Sequence, residues 1–271
     1  KGEDFLVASG FDKIIEKYDK NGQLTQNEKT AFANLSQKLN NWFNANYYSQ
    51  FTYYPRLDIQ RSGSRAKGTA IKGKSDMDIF LSIYDPQNAN TLKEYYDSAF
   101  DYLKKEGLAV RKQNVSIGVK YYDCDIDVVP AKKVNSQSYI RYNDHYLWSN
   151  KHQSRMLTNI QKHIDIIQQS GVKKEIMLLK IWRENHKLDF PSIYIEQLCV
   201  EELGKNNQYN LADNFWHMLH YIADNIENKR VVDPSNCNNI ISDSLTSAEK
   251  RAIANHANNS LSEKYWENII W

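Results

Sequence analysis

The fold is decided by residues 62–81, which read SGSRAKGTAIKGKSDMDIFL. The stretch begins with a turn at Gly63-Ser64, continues through basic and small residues, and ends with Asp76 and Asp78 entering an apolar run. Because successive side chains of a β-strand alternate between its faces, the two carboxylates should project from one face, about 7 Å apart. Carboxylate oxygens are the ligands that Mg²⁺ prefers. The stretch therefore predicts a phosphate-holding turn followed by a two-carboxylate metal site.

The composition describes a chain long enough to bury a sizeable core. Of its 271 residues, 41% are hydrophobic and 12% are aromatic, which fits one large domain or two small ones. The 35 Lys and Arg residues nearly balance the 33 Asp and Glu residues, for a net charge of +2. Such a chain lacks the global cationic field that grips long nucleic acid through its phosphates. We therefore expect small or locally bound anions, and no long nucleic acid, among its partners.

Neither the cysteines nor the apolar runs indicate an extracellular or membrane protein. Cys124, Cys199 and Cys237 are widely spaced and form no CxxC or Cys/His cluster, which argues against a disulfide framework or a zinc site. No apolar run approaches membrane-spanning length. The first ten residues, KGEDFLVASG, lack the apolar stretch of a signal peptide. The sequence thus predicts reduced thiols, no membrane partner and a cytoplasmic location.

Two capping boxes mark predicted helices in the first part of the chain, after a short helix expected at residues 11–18. Thr25 and Glu28 have the spacing of a capping box and should begin a long amphipathic helix that ends near residue 48. Its apolar stripe favours packing in a core over a ligand groove. The same spacing at the start of residues 91–107 predicts a second helix, which ends at a glycine.

A change of parity in the apolar pattern predicts two strands joined by a turn. Apolar residues alternate with polar ones through residues 115–121, and the alternation then shifts by one position, which implies a turn or bulge near Tyr122-Asp123. Beyond the turn, Asp125 and Asp127 share one face of the second strand. We expect Pro130 to end that strand. The sequence thus predicts a third acidic strand position.

From about residue 149 the apolar pattern becomes wholly helical, and no further strand is predicted. The helical patterns cover residues 157–171, 176–182, 193–203, 211–226 and 246–258. Residues 231–244 contain a cluster of asparagines and should form the longest irregular passage.

Three aspartates on two neighbouring strands suit the transfer of a nucleotidyl group. Two metal ions held by such carboxylates can activate an attacking hydroxyl and neutralise charge on the phosphates. Gly63 would let backbone N–H groups approach a triphosphate, and the Ser64 hydroxyl could add a hydrogen bond. An acidic pair or a Gly-Ser turn is weak evidence when it occurs alone, because solvated acids and turns are common. The combination of the Gly-Ser turn and the acidic pair at this spacing is a much more specific signal for nucleotidyl transfer than either motif alone.

The same residues resemble a known superfamily. GS followed by GTAIKGKSDMDIFL resembles the GS…DxD signature of the polymerase-beta-like nucleotidyltransferases, and DVVPA at residues 127–131 is similar to their third-aspartate strand. LLKIWR at residues 178–183 resembles the helix whose lysine contacts the donor triphosphate. PSIYIEQL at residues 191–198 resembles a segment of the oligoadenylate synthase branch. The resemblance is greatest to the bacterial CD-NTases, cyclic-oligonucleotide synthases that are related to cyclic GMP–AMP synthase and act in anti-phage (CBASS) defence.

The resemblance implies a catalytic and metal-binding role for each matching acid. Asp76 and Asp78 would bind two ions of Mg²⁺ or Mn²⁺. Asp127 would complete the site for the ion that activates the acceptor hydroxyl. Asp125 is the alternative third acid, and Asp127 is preferred because it directly precedes the VVPA run, as in the family. Whether Asp125 also contacts metal stays open.

The resemblance also implies nucleotide-binding roles. Gly63 and Ser64 would hold the donor phosphates, and Lys180 and Ser192 would bind the triphosphate tail. The alternative for Lys180, on an apolar helix, is a side chain that reaches to solvent. The family often has a base-stacking aromatic residue directly after the serine, whereas this chain has isoleucine there and Tyr194 one place later. Tyr194 is thus a candidate for stacking on a base, with packing in the core as its alternative.

The fold that the resemblance implies is α+β, with a polymerase-beta-like nucleotidyltransferase core on a mixed sheet and a C-terminal helical domain. Residues 1–50 would supply N-terminal helices, including the long bracing helix. Residues 51–148 would form the catalytic core, and residues 149–271 the oligoadenylate synthase-like helical domain. The active site would lie in a cleft between two lobes.

The function that the resemblance implies is the condensation of NTPs, ATP among them, into a cyclic di- or trinucleotide second messenger. Regulatory or effector proteins of a defence operon are the expected protein partners. One alternative is a template-independent enzyme that adds nucleotides to RNA 3′ ends or to a small molecule such as an antibiotic. The other is a nucleotide-binding regulator without activity, against which the presence of all three acids argues.

Overall fold

The structure is a computed structural model, which describes residues 2–51, 54–74, 76–134, 143–204 and 209–271. It confirms the predicted α+β class. The helices are α1 Gly2–Tyr18, α2 Gln26–Tyr47, α3 Gly63–Lys67, α4 Leu92–Lys105, α5 Ile160–Gln169, α6 Lys173–Asn185, α7 Ser192–Leu203, α8 Leu211–Asn225 and α9 Ser247–Leu261. The strands are β1 Arg56–Ser62, β2 Met77–Tyr84, β3 Ala109–Lys112, β4 Ile117–Tyr121, β5 Cys124–Lys133, β6 His145–Ser149, β7 Ser154–Thr158, β8 Val232–Asp233 and β9 Asn236–Ile240. No helix among the described residues is both long and apolar enough to cross a membrane.

The chain forms two compact units. The sheet unit comprises Gly22–Ala66 and Lys74–His163. The helical unit comprises Lys1–Asn21, Lys67–Gly73 and Ile164–Trp271. The three predicted segments, with boundaries at residues 50 and 148, cut the chain at other points and stay predictions of domain organisation.

The sheet unit is built on a mixed sheet of seven strands, in the order β1-β2-β5-β4-β3, with β6 paired to β5 and β7 paired to β6. The central strands β2 and β5 run parallel, and the other neighbouring strands run antiparallel. The predicted stripe of α2 packs into the core of this unit, where Leu35, Leu39 and Trp42 are fully buried. This core supports the face of the sheet opposite the aspartates.

The predicted capping boxes are confirmed. Thr25 and Thr91 each accept the N–H of the glutamate three residues on, and that glutamate accepts the N–H of the threonine. A third box, at Thr246, begins α9 in the same way. These reciprocal hydrogen bonds use two backbone donors that a helix start would otherwise leave without partners.

The predicted turn at Tyr122-Asp123 is confirmed, and the predicted end of the following strand is wrong. Tyr122 and Asp123 have φ angles of +49° and +57° and join β4 to β5. β5 continues through Pro130 to Lys133. Its pairing with β4 stops at Val128 and its pairing with β6 starts at residue 131. Pro130 therefore lies where β5 has only β2 beside it, so its missing N–H costs the sheet little.

The prediction that no strand follows residue 149 is also wrong. β7 completes a hairpin with β6, and β8 pairs with β9 inside the passage at residues 231–244 that was expected to be irregular. β7 has the sequence SRMLT and β9 the sequence NCNNI. Both strands are short and largely polar, so neither shows the apolar alternation from which strands are recognised.

The helical unit packs α1, α6, α7, α8 and α9 around one hydrophobic core. Every residue of α6 from Glu175 to Arg183 is buried, so this helix lies at the centre of the unit. Residues 67–73 belong to the same unit, where Ile71 is buried and forms a β-bridge with Asp19. The burial of α6 sets the surroundings of the predicted phosphate-binding lysine.

Candidate active site

The structure brings two of the predicted acids side by side. Asp78 is the second residue of β2, and Asp127 lies opposite it on the parallel strand β5. Neighbouring strands are about 4.8 Å apart, so the carboxylates of two register partners project from the same face within reach of one cation. The parallel pairing of β2 with β5 therefore creates the acidic pair.

Asp76 comes directly before β2 and is attached to β5 by two hydrogen bonds. Its backbone N–H donates to Asp125 O at 2.7 Å, which extends the ladder of the two strands. Its Oδ2 accepts the backbone N–H of Asp125 at 2.9 Å. The contact between Asp76 and Asp125 thus uses the main chain of Asp125, which explains how Asp125 can support the site without its own carboxylate.

A partly buried ion pair supports Asp76 from the other side. Arg65, in α3, donates from Nε to Asp76 O at 2.9 Å and pairs through Nη2 with Glu28 Oε2. The other oxygen of Glu28 accepts the N–H of Thr25 in the capping box of α2. Glu28 is only 3% exposed. One carboxylate therefore connects the start of α2 with the backbone of a predicted metal ligand.

The Gly63 turn packs directly against Asp78. Gly63 begins α3 with a φ of +71°, and a Cβ built on it would lie 2.1 Å from Asp78 Oδ2. No side chain fits that distance, and the left-handed backbone disfavours any residue with a Cβ. Ser64 follows in the first turn of α3. The predicted turn and the predicted acids therefore form one continuous site in the sheet unit.

The donor chemistry of this site fits Mg²⁺ or Mn²⁺, which take carboxylate oxygens. Asp78 and Asp127 are register partners, and Asp76 is oriented by a backbone N–H, as outer hydrogen bonds orient metal ligands. Within the described ranges, no group of three or more His, Cys, Asp or Glu side chains has the arrangement of a metal-ion site. Metal binding by all three acids therefore belongs to the proposal below.

Lys180 is neither exposed nor directed to solvent. It is 1% exposed, and its Nζ donates to Thr69 Oγ1 at 3.0 Å and to Thr69 O at 3.3 Å. Glu196 Oε1 lies 3.3 Å from the same Nζ, and Glu196 Oε2 pairs with Lys67 at 2.8 Å. Burial lowers the pKa of Lys180 to about 8, although the charge of Glu196 acts in the opposite direction. The lysine is thus part of a buried ion network in the helical unit.

Glu196 is the centre of this network. Burial acts to raise the pKa of its carboxyl, but the charges of Lys67 and Lys180 outweigh that effect and hold the pKa below its usual value. The carboxylate is therefore the counter-ion of the buried Lys180 and of Lys67, whose side chain is 13% exposed.

Glu196→Gln is expected to lower the free energy of unfolding by about 3–5 kcal/mol, because removing one member of a buried ion pair leaves an uncompensated buried charge. Urea unfolding followed by circular dichroism measures the change. The matched control is Asp12→Asn, which removes an exposed pair with Lys174 and should cost no more than about 1 kcal/mol. Equal, small effects of the two variants would contradict the network.

Ser192 and Tyr194 lie in the first turn of α7, and their surroundings differ. Ser192 Oγ accepts a hydrogen bond from Arg183 Nη1 at 3.0 Å, and the same nitrogen donates to Phe190 O at 2.6 Å. Tyr194 is 0% exposed, and its ring lies edge-on to Phe190. Burial raises the pKa of the Tyr194 phenol to about 12. A fully buried ring offers no face to a base, so the structure favours packing, the alternative stated above, for Tyr194.

Sequence reasoning missed three residues that contact predicted site residues or the groups that hold them. Glu28 was interpreted as a helix cap only, and Glu196 was part of a quoted segment without an assigned partner. Gln113, which contacts Asp127, was not singled out. Each makes its contact with a residue on another strand or helix, so no spacing within one element could have indicated it.

Comparison with known proteins agrees with this geometry. Residues 50–143 match the family model described as nucleotidyltransferase domain. The structure of E. coli MS115-1 CdnC with ATP is similar with a TM-score of 0.71 at 19% identity, over 96% of this chain and 96% of that chain. A chain of the E. coli MS115-1 CdnC:HORMA-deltaN complex is similar with a TM-score of 0.69 at 19% identity, over 95% of this chain and 95% of that chain.

A structure from another organism is similar too. The Elizabethkingia meningoseptica CdnE cyclic dinucleotide synthase with GTP and Apcpp gives a TM-score of 0.63 at 15% identity, over 93% of this chain and 98% of that chain. Residues 50–143 therefore form a nucleotidyltransferase domain, and the protein is an enzyme of the nucleotidyltransferase class. Over nearly its whole length it has the fold of the bacterial CD-NTases, which confirms the resemblance seen in the sequence.

Proposed function

We propose that this chain condenses NTPs into a cyclic di- or trinucleotide and releases pyrophosphate for each bond formed. One observation carries the proposal: Asp78 and Asp127 lie opposite each other on parallel strands, with Gly63 packed against Asp78. The CD-NTase fold supports it, because the similar structures include a cyclic dinucleotide synthase with GTP and Apcpp and a CdnC with ATP.

In the proposed reaction, a ribose 2′- or 3′-hydroxyl of one NTP attacks the α-phosphorus of another in line. An O–P bond forms while the bond from the α-phosphorus to the oxygen that bridges to the β-phosphorus breaks, and pyrophosphate leaves. The proton of the attacking hydroxyl passes to solvent. The linear product still carries a triphosphate. For a cyclic dinucleotide, a second attack by its free ribose hydroxyl closes the ring and releases a second pyrophosphate. For a cyclic trinucleotide, one more NTP is joined in the same way before the ring closes, and each bond releases one pyrophosphate.

Asp76, Asp78 and Asp127 are proposed to hold two ions of Mg²⁺ or Mn²⁺. The bound ions would favour loss of the proton from the attacking hydroxyl and neutralise charge on the phosphates. The chain itself orients these carboxylates, through the Asp125 N–H at Asp76 and the Gly63 backbone at Asp78. Ser64 is proposed to donate its hydroxyl to the donor phosphates, beside the backbone of Gly63.

Lys180 and Ser192 are proposed to bind the triphosphate tail, on the basis of the sequence resemblance. This role requires the Lys180 ammonium to exchange the Thr69 oxygens for phosphate oxygens, with Glu196 retained as its counter-ion. Ser192 would offer its hydroxyl while Arg183 fixes its position from the other side. Tyr194 is not included, because its ring is buried.

We propose further that the product is a second messenger in bacterial anti-phage (CBASS) signalling and is made in the cytoplasm. A regulatory protein partner is part of the proposal, since E. coli MS115-1 CdnC is found in a CdnC:HORMA-deltaN complex.

The test is mass spectrometry of the products formed from mixed NTPs with Mg²⁺ or Mn²⁺ and no added acceptor. A cyclase yields products that resist phosphatase, and the double variant Asp76→Ala with Asp78→Ala should yield none. Linear tails would favour RNA 3′-end addition. Transfer only when RNA or an aminoglycoside is supplied would favour the other acceptors, and no turnover with any acceptor would favour a nucleotide-binding regulator.

A further inference from the structure

A glutamine outside the predicted site contacts the third aspartate. Gln113 lies in the turn between β3 and β4, and its side-chain NH₂ group donates to Asp127 Oδ1 at 3.0 Å. Its carbonyl oxygen accepts from Arg111 Nε at 3.2 Å and from Arg111 Nη2 at 3.1 Å. The orientation of the amide is assigned from these neighbours, because the reverse orientation would set oxygen against oxygen and nitrogen against nitrogen.

The backbone around Gln113 is held firmly. The backbone N–H of Gln113 donates to Ser116 O at 3.0 Å. Its backbone carbonyl oxygen accepts from Asn150 Nδ2 at 2.7 Å and from the Tyr96 hydroxyl at 3.3 Å. The side-chain amide also donates to the Ser116 hydroxyl. The amide that faces Asp127 therefore extends from a turn with few alternative conformations.

A glycine makes room for this contact. Arg111 is the register partner of Gly118 on β4, and Gly118 is the register partner of Asp127 on β5. A Cβ at Gly118 would lie 3.0 Å from Arg111 Cγ and Nε and 3.0 Å from the end of the Gln113 side-chain amide that faces Arg111. The missing side chain thus lets groups from the β3 side cross β4 and reach the carboxylate on β5.

We propose that Gln113 is a positioning residue for Asp127, and that Arg111 orients the Gln113 amide by donating two hydrogen bonds to its carbonyl oxygen. The inference deepens the proposed function and rests on it, since Asp127 matters here as a metal-binding carboxylate. An arginine paired directly with Asp127 would compete with a cation for both oxygens. An amide donor holds one oxygen and leaves the negative charge of the carboxylate in place.

The test is the affinity of the purified full chain for Mn²⁺, measured by electron paramagnetic resonance without nucleotide and again with the non-hydrolysable analogue Apcpp. Gln113→Met keeps the volume of the side chain and removes the donor. We expect its Kd for Mn²⁺ to rise about 10- to 100-fold, as for other residues that orient metal ligands, while the thermal unfolding midpoint stays unchanged. In turnover, the apparent KM for Mn²⁺ should rise while kcat at saturating Mn²⁺ largely recovers.

The matched control is Gln60→Met. Gln60 donates its amide to Asp58 Oδ2 at 2.6 Å on β1, so it makes the same kind of bond to a carboxylate that has no role in the proposed site. Gly118→Ala is a second variant. Its Cβ would lie 3.0 Å from the Gln113 amide and from Arg111, so these side chains must shift by a few tenths of an ångström, and we expect a loss of Mn²⁺ affinity in the same direction. It decides the question if Gln113→Met fails to fold.

The possible outcomes separate the two proposals. Unchanged Mn²⁺ affinity in Gln113→Met, or an equal loss in Gln60→Met, would overturn the positioning role. A wild-type chain that binds no Mn²⁺, even with Apcpp, would overturn the positioning role together with the metal site. A wild-type chain that makes no cyclic product, but whose Mn²⁺ affinity depends on Gln113, would contradict the proposed function and support the positioning role.

Discussion

Asp78→Asn and Asp127→Asn are each expected to lower the rate of product formation from NTPs by about 10³-fold or more. A catalytic metal ion supplies several kcal/mol of charge stabilisation in the transition state, and each 1.4 kcal/mol corresponds to about a factor of ten in rate. Asparagine keeps the shape of the side chain but removes the charge that would hold the ion. Initial rates of pyrophosphate release at saturating Mg²⁺ measure the effect.

Asp125→Asn is the matched control for this pair. Asp125 lies on the same strand as Asp127, two residues away, with an exposed side chain. Its contact with Asp76 is made by its backbone, which the substitution leaves intact. Because these backbone contacts are kept, we expect its rate to fall by no more than about tenfold, which corresponds to about 1.4 kcal/mol. A loss as large as that of Asp127→Asn would instead make Asp125 a fourth metal ligand and contradict its supporting role.

Gly63→Ala is expected to lower the rate by about 10²-fold or more, because misplacing a reacting group by 1 Å can cost that factor. The new Cβ would lie 2.1 Å from Asp78 Oδ2, so either the turn or the carboxylate must move. The φ of +71° adds about 1–2 kcal/mol of backbone strain for any residue with a Cβ. Turnover and urea unfolding, measured on the same preparation, report the two effects.

Gly107→Ala is the control that separates the effect of backbone strain from the steric clash between the new Cβ and Asp78. Gly107 also has a positive φ, +84°, but nothing lies within 4 Å of the Cβ that alanine would add. Its unfolding free energy should fall by about 1–2 kcal/mol, and its turnover should stay at the wild-type level. If both glycine variants lose activity to the same extent, the loss comes from instability, and close packing of the turn on Asp78 is not its cause.

The parts of the fold that were predicted from the sequence depend on short-range signals. The boxes at Thr25 and Thr91 and the turn at Tyr122-Asp123 are set by neighbours within a few residues. The missed strands depend on partners instead. β7 is a strand because β6 pairs with it, and β5 continues past Pro130 because its neighbour changes there from β4 to β6.

The candidate site also combines residues that local patterns predict with residues that only tertiary contacts reveal. Asp76 and Asp78 were singled out because alternation within one strand predicts that they share a face, and Asp127 was preferred to Asp125 because of the family resemblance. The surroundings of Lys180 could not be predicted, because Thr69 and Glu196 are 111 and 16 residues away and meet it only in the folded helical unit. Gln113 reaches Asp127 only through the register of β3, β4 and β5. Sequence patterns identify which groups could react, whereas the groups that hold them in place are defined by tertiary contacts.

The two carboxylate oxygens of Glu28 make different contacts, one with the Thr25 N–H and one with Arg65. This limits the substitutions that the position tolerates. A capping box accepts glutamate and glutamine alike, because either can receive the N–H of the N-cap residue. Only glutamate can do so and also neutralise Arg65, which donates to the backbone of Asp76. A capping position at which glutamate and glutamine appear equivalent is thus linked through Arg65 to the backbone of a candidate site residue. Redesign of α2 for helix stability alone could therefore disturb the candidate site without changing any of its residues.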